Sequence, residues 1–143
     1  MTPDCEPDFI RSSGVGAQDR LGASGFPDKT AGIIMPVLQN DDFEVLAFML
    51  DVEQDVIREI GACLDQEERR RAARLRLERD RDRFVAARGQ LRRVLGSRLG
   101  ISPSDIELEY GWRGKPRLSR RMPAGDLHFS VSRSGEVGVI ALA

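Results

Sequence analysis

The sequence predicts an α+β fold, with helices packed on a small, mainly antiparallel sheet. Three observations predict it. A short apolar run, Phe43 to Leu50, has the length of a strand. Further along, Phe84, Ala87, Leu91, Val94, Leu95 and Leu99 form a stripe of helical period. Beyond it, Ile106, Leu108 and Tyr110, then Leu127, Phe129 and Val131, then Val137, Val139 and Ala141 alternate as strands separated by turn residues.

Residues 1–40 are rich in Gly, Ser, Pro and Asp and poor in large apolar groups. Such a stretch cannot bury enough surface to offset its ordering entropy, so it reads as a disordered leader, with the folded part over 41–143. In the first strand both alternating sets are largely apolar, which suits burial on both faces. A helix follows, in which Val52, Val56, Ile57, Ile60 and Leu64 recur three to four apart, ending near Gly61 to Cys63. Asp65 before Glu67 and Glu68 reads as an N-cap with acids in the first turn, where the helix dipole favours them. The stretch holding Ala72, Leu75 and Leu77 reads as a highly charged turn region reaching Asp82. After the stripe, Gly100 is a C′ cap and Ser102-Pro103-Ser104-Asp105 a turn. Gly111 to Pro116 interrupts the later strands as a loop, and Ser132 to Gly135 is expected to turn the chain back.

The chain has 143 residues and a formal net charge of −1, one domain's worth with no overall bias toward nucleic acid or membrane. The distribution of charge is uneven: Glu67 to Arg93 holds eleven arginines against five acids. Cys5 and Cys63 lie outside any metal-ligand spacing and read as reduced thiols in a cytoplasmic protein. No run of 18 apolar residues is present, so no membrane span is expected. His128, between Leu127 and Phe129, reads as a solvent-facing strand residue. Ser130, Ser132 and Ser134 lack a nucleophile elbow, and the glycines fit neither a dinucleotide fingerprint nor a P-loop.

Phosphate binding is the chemistry that remains, because it needs cationic side chains together with backbone N–H groups or hydroxyls. Three places supply them: Arg69, Arg70, Arg71 and Arg74; the Arg113-Gly114-Lys115-Pro116 loop; and Ser132-Arg133-Ser134-Gly135. From composition alone two readings stand. Either these groups gather an anion, or the arginines solvate a helix face and Gly-Lys-Pro is a turn.

Three patterns occur in register. They are Glu-Arg-Asp-Arg-Asp-Arg-Phe-Val-Ala-Ala-Arg over 78–88, Gly-Lys-Pro over 114–116 and Leu-His-Phe-Ser-Val-Ser-Arg-Ser-Gly over 127–135. Their order and spacing resemble the 4'-phosphopantetheinyl transferases of the surfactin-synthetase-activating type, over about residues 43–143. The resemblance implies one half of a two-lobed fold, the N-terminal lobe, with coenzyme A between the halves. It implies transfer of phosphopantetheine from coenzyme A to a serine of an acyl or peptidyl carrier protein. Matched residue by residue, Arg71 takes the place of a basic residue near the 3'-phosphate. Lys115 matches the loop lysine, approached through Tyr110, Gly111, Trp112, Arg113 and Gly114. Ser130, Val131, Ser132 and Arg133 match the family turn. There Arg133 replaces a histidine and Ser130 an asparagine; an arginine still forks onto phosphate, whereas a serine has fewer hydrogen-bonding options than an amide.

Magnesium is expected for the family, yet the acids of its G-[VI]-D-x-E and W-x-x-K-E segments are absent here. The resemblance therefore implies a coenzyme A-binding half that is inactive alone, with no catalytic and no metal-binding residue of its own. A complementing second half, or self-association, is the expected partner. A non-catalytic coenzyme A-binding or regulatory remnant is the alternative. A nucleic-acid-binding arginine helix is disfavoured, because Glu78, Asp80 and Asp82 alternate with its arginines.

Overall fold

The computed structural model describes residues 34–143 except Ala124. It has the α+β architecture expected, three helices packed on a mainly antiparallel sheet. Strands β1 (Ile34–Gln39) and β2 (Glu44–Met49) are followed by helices α1 (Gln54–Gly61), α2 (Gln66–Arg74) and α3 (Glu78–Leu99). A 3-10 turn at Pro103–Asp105 leads to β3 (Leu108–Tyr110), β4 (Pro116–Leu118), β5 (Phe129–Ser134) and β6 (Val137–Leu142). The main sheet has the order β1-β2-β6-β5 and every neighbour is antiparallel; β3 and β4 form a separate hairpin.

Strand β1 corrects the boundary of the expected leader, since Ile34–Gln39 already forms a strand ahead of Phe43. The Gly- and Pro-rich surroundings hid an apolar run, Ile34-Met35-Pro36-Val37-Leu38. Its proline is tolerated because β1 is an edge strand whose register shifts between Pro36 and Leu38. Asn40 closes the β1–β2 turn, its Oδ1 accepting from the N–H of Asp42 at 2.7 Å and of Phe43 at 2.9 Å. Residues 1–33 of the expected leader lie outside the described residues.

The middle strands carry the core. Leu46 and Phe48 of β2 and Ile140 and Leu142 of β6 face the helices, meeting Ile57, Ile60, Leu91, Val94 and Leu95. Ala47 on the opposite face of β2 is also buried, as expected for a strand covered on both sides. Phe48 lies across Gly138, its register partner, where an added Cβ would stand 2.5 Å from the ring. Helix α3 approaches α1 equally closely at Gly89, where a Cβ would come within 2.7 Å of the Ile60 carbonyl oxygen. From Ala86 to Gly96 almost every residue of α3 is buried.

The charged stretch expected as a turn is helical except at Leu75–Leu77, between α2 and α3. Asp65 and Glu68 start α2 with a reciprocal capping box. Hydrophobic periodicity could not show this helix, because its buried positions are Glu68 and Ala72. Where α2 ends, Arg81 Nη1 donates to the carbonyls of Leu75 at 2.7 Å and Arg76 at 3.0 Å, satisfying backbone that would otherwise be orphaned. Gly100 ends α3 in the left-handed region at φ 67°, as expected for a C′ cap.

Three further expectations are revised. The third motif does not turn at Ser132: β5 continues through Ser134, and the turn is Gly135-Glu136, with φ 58° at Gly135. Ile106 is buried but precedes β3, which is only three residues long. Cys63 is buried and disulfide-bonded, not a reduced thiol; Cys5 lies outside the described residues. His128 is exposed as expected, its backbone paired with Ala143 beside β5. Among the described residues, no helix is long and apolar enough to cross a membrane.

Candidate anion-binding site

Arginine at positions 88 and 92 of α3 falls within the buried stretch of that helix, where an unpaired charge is costly. The inner one is fully neutralised. Arg92 Nε donates to Glu68 Oε1 at 2.7 Å, Nη2 to Asp65 Oδ2 at 3.0 Å, and Nη1 to the carbonyls of Pro103 at 3.0 Å and Ile106 at 2.7 Å. Arg92 and Glu68 are both 0% exposed. This network fastens α2, α3 and the 3-10 turn together, and it extends to the hairpin through Tyr110, whose hydroxyl donates to Glu68 Oε2 at 3.3 Å.

Outward from this network lies a second set of guanidinium groups. Arg71, from the last turns of α2, stacks with Cζ 4.1 Å from the Tyr110 ring centre. Its Nη1 is also the atom a Cβ on Gly114 would meet, at 3.9 Å, so Arg71 borders the Gly-Lys-Pro loop. The loop is held open by hydrogen bonds from Gly111 N to Lys115 O at 3.0 Å and from Gly114 N to Gly111 O at 2.8 Å, with Gly114 at φ 77°. Arg88 lies between Phe84 and Tyr110, its Cζ 5.2 and 5.5 Å from their ring centres. Across from it, β5 alternates Val131 and Arg133 toward the helices.

Phe84, Ala87, Arg88, Pro116, Val131 and Arg133 line a cleft of about 160 Å³. Arg133 also borders a wider, open cleft of about 420 Å³ that reaches Leu50, Leu75, Asp80, Arg83 and Gly135. Arg83 is tied there by a bidentate pair with Asp51 at 2.6 and 2.7 Å, which raises its pKa above the ordinary value. Burial lowers the pKa of Arg88, and the charges of Arg71 and Arg133 push it the same way. Burial and the Glu68 charge push the Tyr110 phenol up to about 12, so it remains a protonated donor.

The residues singled out from the sequence divide into groups. Arg71, Tyr110, Gly111 and Gly114 come together beside the hairpin, and Val131 and Arg133 join them across the cleft. Lys115 is exposed on the loop leading to Pro116 of the cleft wall. Trp112 is 89% exposed, with Arg113 stacked on it at 4.4 Å, at the outer tip of the loop. Ser130 and Ser132 occupy the alternate positions of β5 and point to the face opposite Arg133.

Sequence reasoning missed Arg88, Glu68 and Arg92. Their signal was present: arginines at helical spacing on an otherwise buried face require buried acid partners, and Glu68 sits one helix earlier. For magnesium, which the resemblance implies, the described donors do not fit. No group of three or more His, Cys, Asp or Glu residues converges among the described residues, and the neighbouring Asp65 and Glu68 carboxylates are bound by Arg92.

These features define an α+β lobe with an arginine-lined cleft suited to an anionic ligand. Sequence comparison supplies the family. Residues 52–143 match the family described as "4'-phosphopantetheinyl transferase, N-terminal", and the chain belongs to that family. It is 33% identical over 105 residues to the 4'-phosphopantetheinyl transferase HetI of Nostoc sp. (strain PCC 7120), covering 73% of this chain and 44% of that one. It is 39% identical over 77 residues to a phosphopantetheinyl transferase of Thraustochytrium sp., covering 54% and 26%. The chain thus spans less than half the length of these curated relatives.

Proposed function

We propose that this chain forms the nucleotide-binding lobe of a 4'-phosphopantetheinyl transferase of the surfactin-synthetase-activating type, gripping coenzyme A at the cleft between α3, the Gly-Lys-Pro loop and β5. The observation that carries this reading is that Arg133 lines that cleft with Arg88, while Arg71, from an element far apart in sequence, stacks on Tyr110 beside Arg88 and borders the glycine loop. Arginine forks onto phosphate oxygens, and a loop with Gly114 at positive φ lets backbone approach a ligand closely. Arg71, Lys115 and Arg133 supply charge in this reading. Tyr110 to Gly114 shape the approach, and Ser130, Val131 and Ser132 hold the strand that carries Arg133.

The reaction proposed is transfer of phosphopantetheine from coenzyme A to a serine hydroxyl of an acyl or peptidyl carrier protein. The carboxylates for magnesium are assigned to a second half of the family's length, whether joined to this one or supplied by another chain. The described residues bind and orient the donor; no step is assigned to them beyond that.

Calorimetric titration with coenzyme A tests the binding. Arg71→Ala and Lys115→Ala are each expected to weaken it about tenfold, the worth of one charge-assisted contact. Unchanged affinity in both variants would overturn the site. Intact-mass analysis of an apo carrier incubated with coenzyme A, magnesium and this chain tests the division of labour. A phosphopantetheine mass gain from this chain alone would refute the assignment of the metal site to a second half.

A further inference from the structure

We propose that the start of β5, together with a second cleft beside it, is a docking edge for an extended acidic segment of a partner protein, which adds to the sheet as a further strand. The proposal is independent of the coenzyme A reading. Strand β5 is the outermost strand of the main sheet and pairs on one side only, with β6. Just before it, His128 exchanges both backbone hydrogen bonds with Ala143, each at 2.9 Å. Bonded and unbonded residues alternate along an antiparallel pair, so Leu127 and Phe129 turn their N–H and C=O groups away from β6. Among the described residues no strand pairs with that side, since β3 and β4 pair only with each other. An open edge of this kind is a template for a strand from another chain.

The surroundings specify the segment. A cleft of about 400 Å³ lies against this edge, with Leu118, Met122 and Phe129 among its apolar lining and Arg117, Arg120 and His128 among its polar lining. It shares no lining residue with the cleft that holds Arg88 and Arg133. Among the described residues no carboxylate lines it. One wall is a turn in which Met122 N donates to Ser119 O at 3.0 Å, pinned to the hairpin by Ser119 N donating to Glu107 O at 2.9 Å. That turn leaves Arg120 and Arg121 exposed. Arg117 is 64% exposed, and its ion pair with Glu109 is loose at 3.8 Å. Glu109 itself accepts from the backbone N–H of Arg120 at 3.0 Å. The rim therefore keeps positive charge to offer an acidic partner. An added strand alternates its side chains, so apolar residues cover the floor while acids reach the rim. A nucleic acid would meet the arginines too, but it has neither peptide groups for the open edge nor aliphatic side chains for the floor.

Charged side chains also guard sheet edges against unwanted pairing, and that is the competing explanation of Arg117 and Arg120. Fluorescence anisotropy on the full chain separates the two, using a labelled, capped peptide of about six alternating glutamate and valine residues, an ordinary strand length. The wild type is expected to bind it, and to bind the lysine–valine counterpart at least about tenfold more weakly. Arg117→Glu and Arg120→Glu are each expected to weaken the glutamate peptide about 3- to 10-fold. Both variants should melt like the wild type, because the two side chains are exposed. The same peptide N-methylated throughout keeps its charge but cannot donate to the edge, and is expected to bind at least about tenfold more weakly. Equal binding of the methylated peptide, or charge reversals without effect, would overturn the docking edge. So would a wild type that ignores the glutamate peptide, or that binds a single-stranded DNA of equal charge more tightly. Saturating coenzyme A is expected to leave peptide binding within about twofold, because the two clefts are separate. Displacement of the peptide by coenzyme A would put it in the neighbouring cleft and sink this inference, leaving the coenzyme A reading intact.

Discussion

Arg92 and Arg88 lie one turn apart on α3, carry the same charge and are both largely buried, yet their surroundings differ. Arg92 spends its donors on two carboxylates and two backbone carbonyls. Arg88 has an Nε that reaches no acceptor and lies beside two more guanidinium groups around a cleft. The inner arginine is a fastening between helices. The outer one lines a cleft and leaves its buried Nε without a hydrogen-bond partner. In a neutral chain with an arginine-rich segment, it is the placement of acids, not the number of arginines, that separates structure from binding.

The sharpest way to break this contrast is to remove the inner acid. Glu68→Ala leaves Arg92 without a charged partner on its Nε, and breaking such a buried pair is expected to cost about 3–5 kcal/mol in urea unfolding. If the cost were under about 1 kcal/mol, the inner network would not be the fastening described. Gly138→Ala provides a purely steric comparison. Its Cβ would press on the Phe48 ring, and a loss of about 1–3 kcal/mol is expected from thermal or chemical melts, with no cationic group removed.

On the cleft side the signs reverse. Arg133→Ala is expected to weaken coenzyme A binding about tenfold, or about 1.4 kcal/mol, while changing folding stability by less than about 0.5 kcal/mol. Calorimetry and melting on the same preparation would read both. A finer probe is Tyr110, the residue linking the two regions. Its phenol has an ordinary value of 10.0 and is raised to about 12 in the folded chain, so the folded state holds this proton more tightly. Its contribution is therefore fully present below pH 10 and is lost as pH rises through about 12. Tyr110→Phe should flatten the fall in stability across that alkaline window. The smallest effect is expected at the exposed Arg58–Asp55 pair, whose side chains are 76% and 87% exposed. Arg58→Ala should change the melt by less than about 0.5 kcal/mol.

Much of the fold was legible because hydrophobic period reports it directly. Strand β2, the apolar part of α3, the Gly100 cap and the alternating β5 and β6 all follow from which residues must leave water. Strand β1 was missed because its apolar run contains Pro36 and adjoins a Gly-rich stretch, and only its place at the sheet edge makes that proline harmless. Helix α2 was read as turn because it turns a carboxylate and an alanine inward, which no hydropathy pattern marks. Its start was nonetheless visible in Asp65 and Glu68, since capping is chemistry between near neighbours.

The candidate site was legible in parts. Arg71, Gly114 and Arg133 were selected from motifs; the fold sets Arg71 beside Gly114 and Tyr110, and lines the neighbouring cleft with Arg133. The orientation of β5 was not readable: a turn at Ser132 would have left Ser130, Ser132 and Arg133 free to converge, whereas a continuous strand sends them to opposite faces.

By itself, then, the sequence determined the family, the α+β class and the local signals of caps, turns and apolar faces, because each depends on residues close along the chain. The tertiary structure alone decided which arginines are neutralised and which are not. That depends on carboxylates brought from another helix, and on a burial that makes each missing partner count.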